Sequence, residues 1–244
     1  MAASGFFRYS SPASFYPLAG RLVPVFGWIA AILTVAGLYI GFVVAPTDFQ
    51  QGESYRIIFM HVPAAWMAMF VYLVIAGWSA ASLVWNTRLS AMMAQALVPT
   101  GAMFAFVSLW SGAFWGRPTW GTYWVWDARL TSTLILLFLY LGLMALRSAI
   151  EDQRRADRAC AVLALVGSVN VPIIYFSVQW WNTLHQGASV SLTAAPKMAE
   201  TMLAGMLVMS LAAWAYTIAV ALHRVRSIIL EREAHARWTQ ELVR

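Results

Sequence analysis

Six stretches of this chain contain no Asp, Glu, Lys or Arg, and each approaches the length that carries a helix across a bilayer. They run Leu22–Ala45, Val62–Trp85, Leu89–Trp115, Leu130–Leu146, Ala159–Trp181 and Thr201–Leu222. About 20 apolar residues cross the hydrocarbon layer, and only a helix or a closed barrel satisfies its own backbone polar groups there. Leu130–Leu146 is slightly short, and Ala128 with its neighbours can extend it. The expected fold is an all-α integral membrane protein with six transmembrane helices, one six-span domain over residues 1–244. Composition excludes a water-soluble domain: the chain is 61% hydrophobic and 11% charged, where soluble chains run near half and a quarter. The first run exceeds the apolar core of about 7–15 residues in a cleaved signal, and no cleavage site follows it. Cys160 is the sole cysteine, which excludes an internal disulfide and leaves that residue a packing role.

The distribution of positive charge sets an orientation. With a cytoplasmic N-terminus, the external segments hold only Arg56, Arg117, Arg129 and Lys197, and the other Arg residues lie inside. Basic residues favour the cytoplasmic side, so both termini are expected there. The net charge of +6 then reflects topology, with membrane lipid as the partner and no nucleic acid. Arg224–Arg244 reads as a solvated cytoplasmic helix extending the last span. Counting spans outward makes the connections after helices one, three and five external. They carry Asp48–Met60, Gly116–Asp127 and Asn182–Pro196, so His61 and His185 share one outer face with the third connection.

That third connection is unusual. Residues 115–129 read Trp-Gly-Arg-Pro-Thr-Trp-Gly-Thr-Tyr-Trp-Val-Trp-Asp-Ala-Arg, too polar to span and too aromatic for an ordinary loop. Interfacial tryptophans commonly form a belt, which accounts for Trp28, Trp66, Trp78, Trp85, Trp110 and Trp214. A belt does not need Trp115, Trp120, Trp124 and Trp126 with Tyr123 in one segment, so a platform for a flat ligand is the better reading. Trp120 and Trp124 share a face if the segment is helical, and Gly121 would let a planar ligand approach the backbone. Asp127 is placed to cap the fourth span. Arg129, in its first turn, faces an unfavourable dipole and calls for an anion: Asp127 or a ligand carboxylate. Arg56, Arg117 and Arg129 are all candidates to pair with ligand carboxylates, and the sequence does not choose among them. For Arg117 an ordinary surface contact is an equal alternative.

Taken singly, His61 and His185 read as interfacial residues bonded to backbone or water. Together, beside an aromatic platform, they could bind a haem iron from opposite sides. His223 and His235 lie among charged residues on the other side and are read as solvated.

Three motifs then carry a resemblance. Gln50–Ile58 leads into His61-Val62-Pro63-Ala64-Ala65; Trp120–Ser132 follows; Trp180–Gly187, with His185, comes last. In this order they resemble the tryptophan-rich "WWD" proteins of cytochrome c biogenesis, and within them the CcmC family of the system I maturation pathway. The resemblance implies haem (haem b, held non-covalently and transiently) on the outer face of a bacterial inner membrane. It further implies His61 and His185 as axial ligands, and a cofactor site drawn from Trp115, Trp120, Gly121, Tyr123, Trp124, Trp126, Asp127, Arg56 and Arg129. Delivery to the haem chaperone CcmE follows, with CcmD and the CcmA–CcmB ABC complex as further partners and no catalysis. The alternatives are a bis-histidine b-type cytochrome moving electrons, or a haem transporter subunit. No P-loop is present, so any ATP dependence belongs to a partner.

Overall fold

The computed structural model describes residues 9–185, 190 and 198–242. Arg8, Lys197, Arg244 and the Gln186-Gly187 end of the third motif lie outside them. Helix α1 (Pro12–Tyr39) starts where Ser11 accepts the Ser14 N–H and Pro12 occupies the first turn, a position that needs no donor. A π-helical turn, Ile40–Val44, continues it and closes with Ala45 N–H bonding the Ile40 carbonyl at 2.8 Å. After a 3-10 turn at Glu53–Ile57, α2 runs Ile58–Trp85 and ends on Asn86 at φ 50°, the left-handed stop that a short polar side chain tolerates. Helix α3 (Arg88–Trp120) follows at once. Asp127 caps α4 (Ala128–Ala149) by accepting the Leu130 N–H at 2.8 Å, as expected. The chain completes α5 (Gln153–Gly167), α6 (Asn170–Trp180), α7 (Glu200–Arg232) and the short α8 (Arg237–Leu242). Six helical segments are long and apolar enough to cross a membrane. This is a multi-pass membrane protein.

Two features depart from the expectation. The fifth span is not one helix: α5 and α6 meet at Ser168–Val169, where tighter i to i+3 bonds replace the regular ladder. Pro172 has no N–H to give the Ser168 carbonyl. Asn170 Nδ2 instead donates to the Ser132 carbonyl on α4 at 2.9 Å. The tail does extend the last span as a helix, but one face of it is packed and not solvated. Helix α7 runs on through Arg224 to Arg232, and Val225, Ile228 and Ile229 bury against Leu89, Met92 and Ala96 of α3. Arg232 pairs with Asp157 at 2.8 Å and its side chain is only 6% exposed. The apolar stripe at 225, 228 and 229 has helical spacing, but it is interleaved with arginines and reads as polar.

α1 packs along α7, and α2 along α3. Midway through the bundle Tyr72 and Tyr140 are fully buried and meet edge to face at 5.1 Å. Tyr140 donates to the Ala68 carbonyl at 2.7 Å. Gly101 and Gly167 make room for the two rings, since a Cβ at either would lie 2.2 Å from a tyrosine atom. Small residues opposite large ones are how membrane helices approach closely. Gly101→Ala is expected to displace Tyr140 and destabilise the bundle by about 1–3 kcal/mol, the usual cost of overpacking; thermal unfolding in detergent, followed by tryptophan fluorescence, measures it.

Candidate functional site

At the end of the bundle away from the C-terminal tail of α7, the start of α2, the last turns of α3 and the start of α4 enclose a cavity of about 460 Å3. His61, His185, Trp115, Trp120, Trp124 and Arg129 all line it. Cofactor pockets commonly measure roughly 300–1,000 Å3.

His61 sits in the first turn of α2, one turn further into the helix than expected, because α2 begins at Ile58. Its Nδ1 lies 3.1 Å from Ser111 Oγ. The Ser111 hydroxyl donates to the Val107 carbonyl at 2.6 Å, so it accepts from His61 Nδ1–H. That leaves the Nε2 lone pair available, the arrangement by which an outer partner orients an imidazole for a metal. Gly112 gives the ring its space: a Cβ there would lie 2.9 Å from His61 Cε1. Neither Ser111 nor Gly112 stands out in the sequence. Their only signal is that Ser108, Ser111, Gly112 and Trp115 recur at helical spacing on one face of α3.

His185 lies beyond α6, where its backbone N–H donates to Thr183 Oγ1 at 3.1 Å. The Thr183 hydroxyl in turn donates to Asp127. Asp127 does not line the cavity. Its two oxygens are used in capping α4 and in tying the His185 segment to it, so its contribution is positional. The His61 and His185 rings stand 6.5 Å apart, centroid to centroid, with planes 32° from parallel. An imidazole nitrogen binds a metal at about 2 Å, and adding roughly 1 Å to each ring centre puts two trans ligands on the order of 6 Å apart. The separation suits one iron between them. Trp115 meets His61 edge-on at 5.6 Å, and Trp120 meets His185 at 6.1 Å.

Trp120 and Trp124 reach the cavity, though not as neighbours on a helix. Helix α3 ends at Trp120, Gly121 takes φ 78° and its N–H bonds the Arg117 carbonyl at 3.1 Å. Gly121 therefore reverses the chain rather than offering its backbone to a ligand, and it does not line the cavity. Trp124 returns toward the cavity, with its Nε1 buried and without a hydrogen-bond partner. A buried indole donor left unpaired is costly unless a ligand accepts from it. Trp115 Nε1 donates to Gln51 Oε1 at 2.7 Å.

Tyr123 and Trp126 lie outside the cavity. Arg117 donates to the Gly121 carbonyl and lies over the Tyr123 ring. Trp126 is 76% exposed and packs edge-on against Trp124. Arg56 points elsewhere, donating to the Gly41 and Ala45 carbonyls and to Glu53. It satisfies the last carbonyls of the first span, the groups every helix end leaves bare. Arg129 alone of the three arginines faces the cavity. It donates to the Ile174 carbonyl at 3.2 Å, and no ion pair among the described residues includes it. Asp127 is near enough to act on its charge but forms no ion pair with it, so the guanidinium, hydrogen-bonded to a neutral carbonyl at the cavity wall, is suited to a ligand carboxylate.

The comparisons agree in kind. The chain matches the family model described as Heme exporter protein C over residues 5–240. It is 47% identical over 230 residues to the Heme exporter protein C of Bradyrhizobium diazoefficiens, covering 93% of this chain and 86% of that one. Against the protein of that name from Escherichia coli K12 it is 42% identical over 236 residues, covering 95% and 94%. A putative cytochrome c biosynthesis ccmC-like mitochondrial protein of Marchantia polymorpha is 47% identical over 159 residues, covering 65% and 67%. With a family model spanning nearly its whole length, the chain belongs to the heme exporter protein C family.

Proposed function

We propose that this protein holds haem at the outer face of a bacterial inner membrane, with both termini in the cytoplasm, and passes it to the periplasmic chaperone CcmE. Family membership supports haem handling in cytochrome c maturation. The observation that carries the finer reading is the pair of imidazoles 6.5 Å apart in a cavity that also presents Arg129 and the unpaired Trp124 indole. His61 and His185 would supply both axial ligands, leaving no open position for oxygen chemistry. Arg129 would take a propionate, and Trp115, Trp120 and Trp124 would cover the macrocycle. Haem here is cargo, held non-covalently as haem b, and the protein performs no catalysis. CcmD and the CcmA–CcmB complex would act in forming or releasing the chaperone complex.

Electron transfer is the less favoured role. His223 and His235 lie on the far helix and its end, and form no second pair with which to relay electrons across the membrane. The test is transfer: haem-loaded protein in membranes, mixed with apo-CcmE and no quinone donor or acceptor, should yield haem on the chaperone. Retention of all haem by the protein, together with reduction by added quinol, would replace this reading with the electron-transfer one.

A further inference from the structure

A second cavity, of about 430 Å3, lies at the opposite end of the bundle from the histidines. The order of residues along the helices places it: α2 contributes Ile75 and Ser79, α3 Val98, α4 Leu143, and α7 Arg224 and Ile228. The buried Tyr72 and Tyr140 layer separates it from the histidine cavity. Most of its wall is apolar. The charged residues on it are Arg147, Asp157, Arg224 and Glu231. Arg224 donates to the Ala96 carbonyl and to Thr100 Oγ1, both at 2.9 Å, and no ion pair among the described residues includes it. Neither carboxylate on the wall forms an ion pair with it. Asp157 is shared by Arg147 and Arg232, and Glu231 makes no ion pair with it although it also lines the cavity.

A guanidinium at the end of a spanning helix, turned to a cavity and hydrogen-bonded only to neutral acceptors, can take an acidic ligand group. We propose that this cavity binds an amphiphile: an apolar body seated among Ile75, Val98 and Leu143, with one acidic group on Arg224. The acidic group could be the phosphate of an anionic lipid or the carboxylate of a tetrapyrrole, and the shared chemistry is a membrane-soluble anion.

The test uses the full-length protein in zwitterionic lipid nanodiscs, with cis-parinaric acid as the fluorescent probe and its methyl ester as the uncharged control. The acid should bind about tenfold or more tighter than the ester, as a charge-assisted hydrogen bond gives. Arg224→Gln should remove that preference and Arg224→Lys should keep it, while the haem content of the histidine site stays unchanged in both. Val98→Trp, which fills the cavity, should abolish binding of acid and ester alike. Displacement of the acid by phosphatidylglycerol identifies a lipid source, and displacement by metal-free protoporphyrin IX a tetrapyrrole; each supports the site. Equal binding of acid and ester, or a preference that survives Arg224→Gln, overturns it.

Discussion

Purified His61→Ala protein is expected to lose its six-coordinate low-spin haem spectrum and to retain haem far more weakly than the wild type. His61 is held on the rigid first turn of α2, between Ser111 and the space left by Gly112. Deleting the ring would remove one of the two proposed ligands and leave His185 alone, and no group of three or more His, Cys, Asp or Glu among the described residues could hold a metal instead. The loss should exceed the about 10–100-fold that follows removal of an outer-shell partner. His185→Ala should act in the same direction, and optical spectra at matched protein concentration measure both. Added imidazole should restore the low-spin spectrum in either variant, because it fills the vacated position without repairing the fold. A low-spin spectrum and haem content unchanged in both variants would remove the axial assignment.

Ser111→Ala should be the second largest effect, although Ser111 touches no ligand. Its hydroxyl hydrogen is committed to the Val107 carbonyl, so its lone pair faces the His61 ring and holds the proton on Nδ1. Without it the ring loses both its orientation and part of its basicity as a ligand. Haem affinity should fall about 10–100-fold, and the reduction potential of the bound iron should move positive as the imidazole becomes the poorer donor. Ser111→Thr, which keeps the hydroxyl, should recover both. A fall in affinity with no movement in potential would mean that Ser111 only packs.

The six spans were legible because charge is excluded from hydrocarbon, and its absence over about 20 residues has few other causes. That the two histidines share one face was legible for a related reason: span parity puts both at the same end of the bundle without any knowledge of packing, and their rings stand 6.5 Å apart. What parity cannot supply is direction. Arg56, Arg117 and Arg129 are equivalent in the sequence, and only Arg129 faces the cavity. Arg56 is drawn away by the Gly41 and Ala45 carbonyls, which lie well back along the chain on the preceding helix. The cap that Asp127 forms on α4 is visible in its position just before the span, but its hold on Thr183 depends on a contact between segments 56 residues apart. Ser111 and Gly112 carried too little chemistry of their own to be noticed. Their roles exist only once α2 and α3 are packed side by side.

One iron shared by two histidines from different parts of the chain is an arrangement that pulsed EPR reads directly. Ferric haem-loaded protein should be prepared with 15N-labelled histidine and unlabelled haem. Two 15N couplings of similar strength are expected, with one lost in His61→Ala and one in His185→Ala. A single 15N coupling in the wild type, or two that persist in either variant, would contradict it.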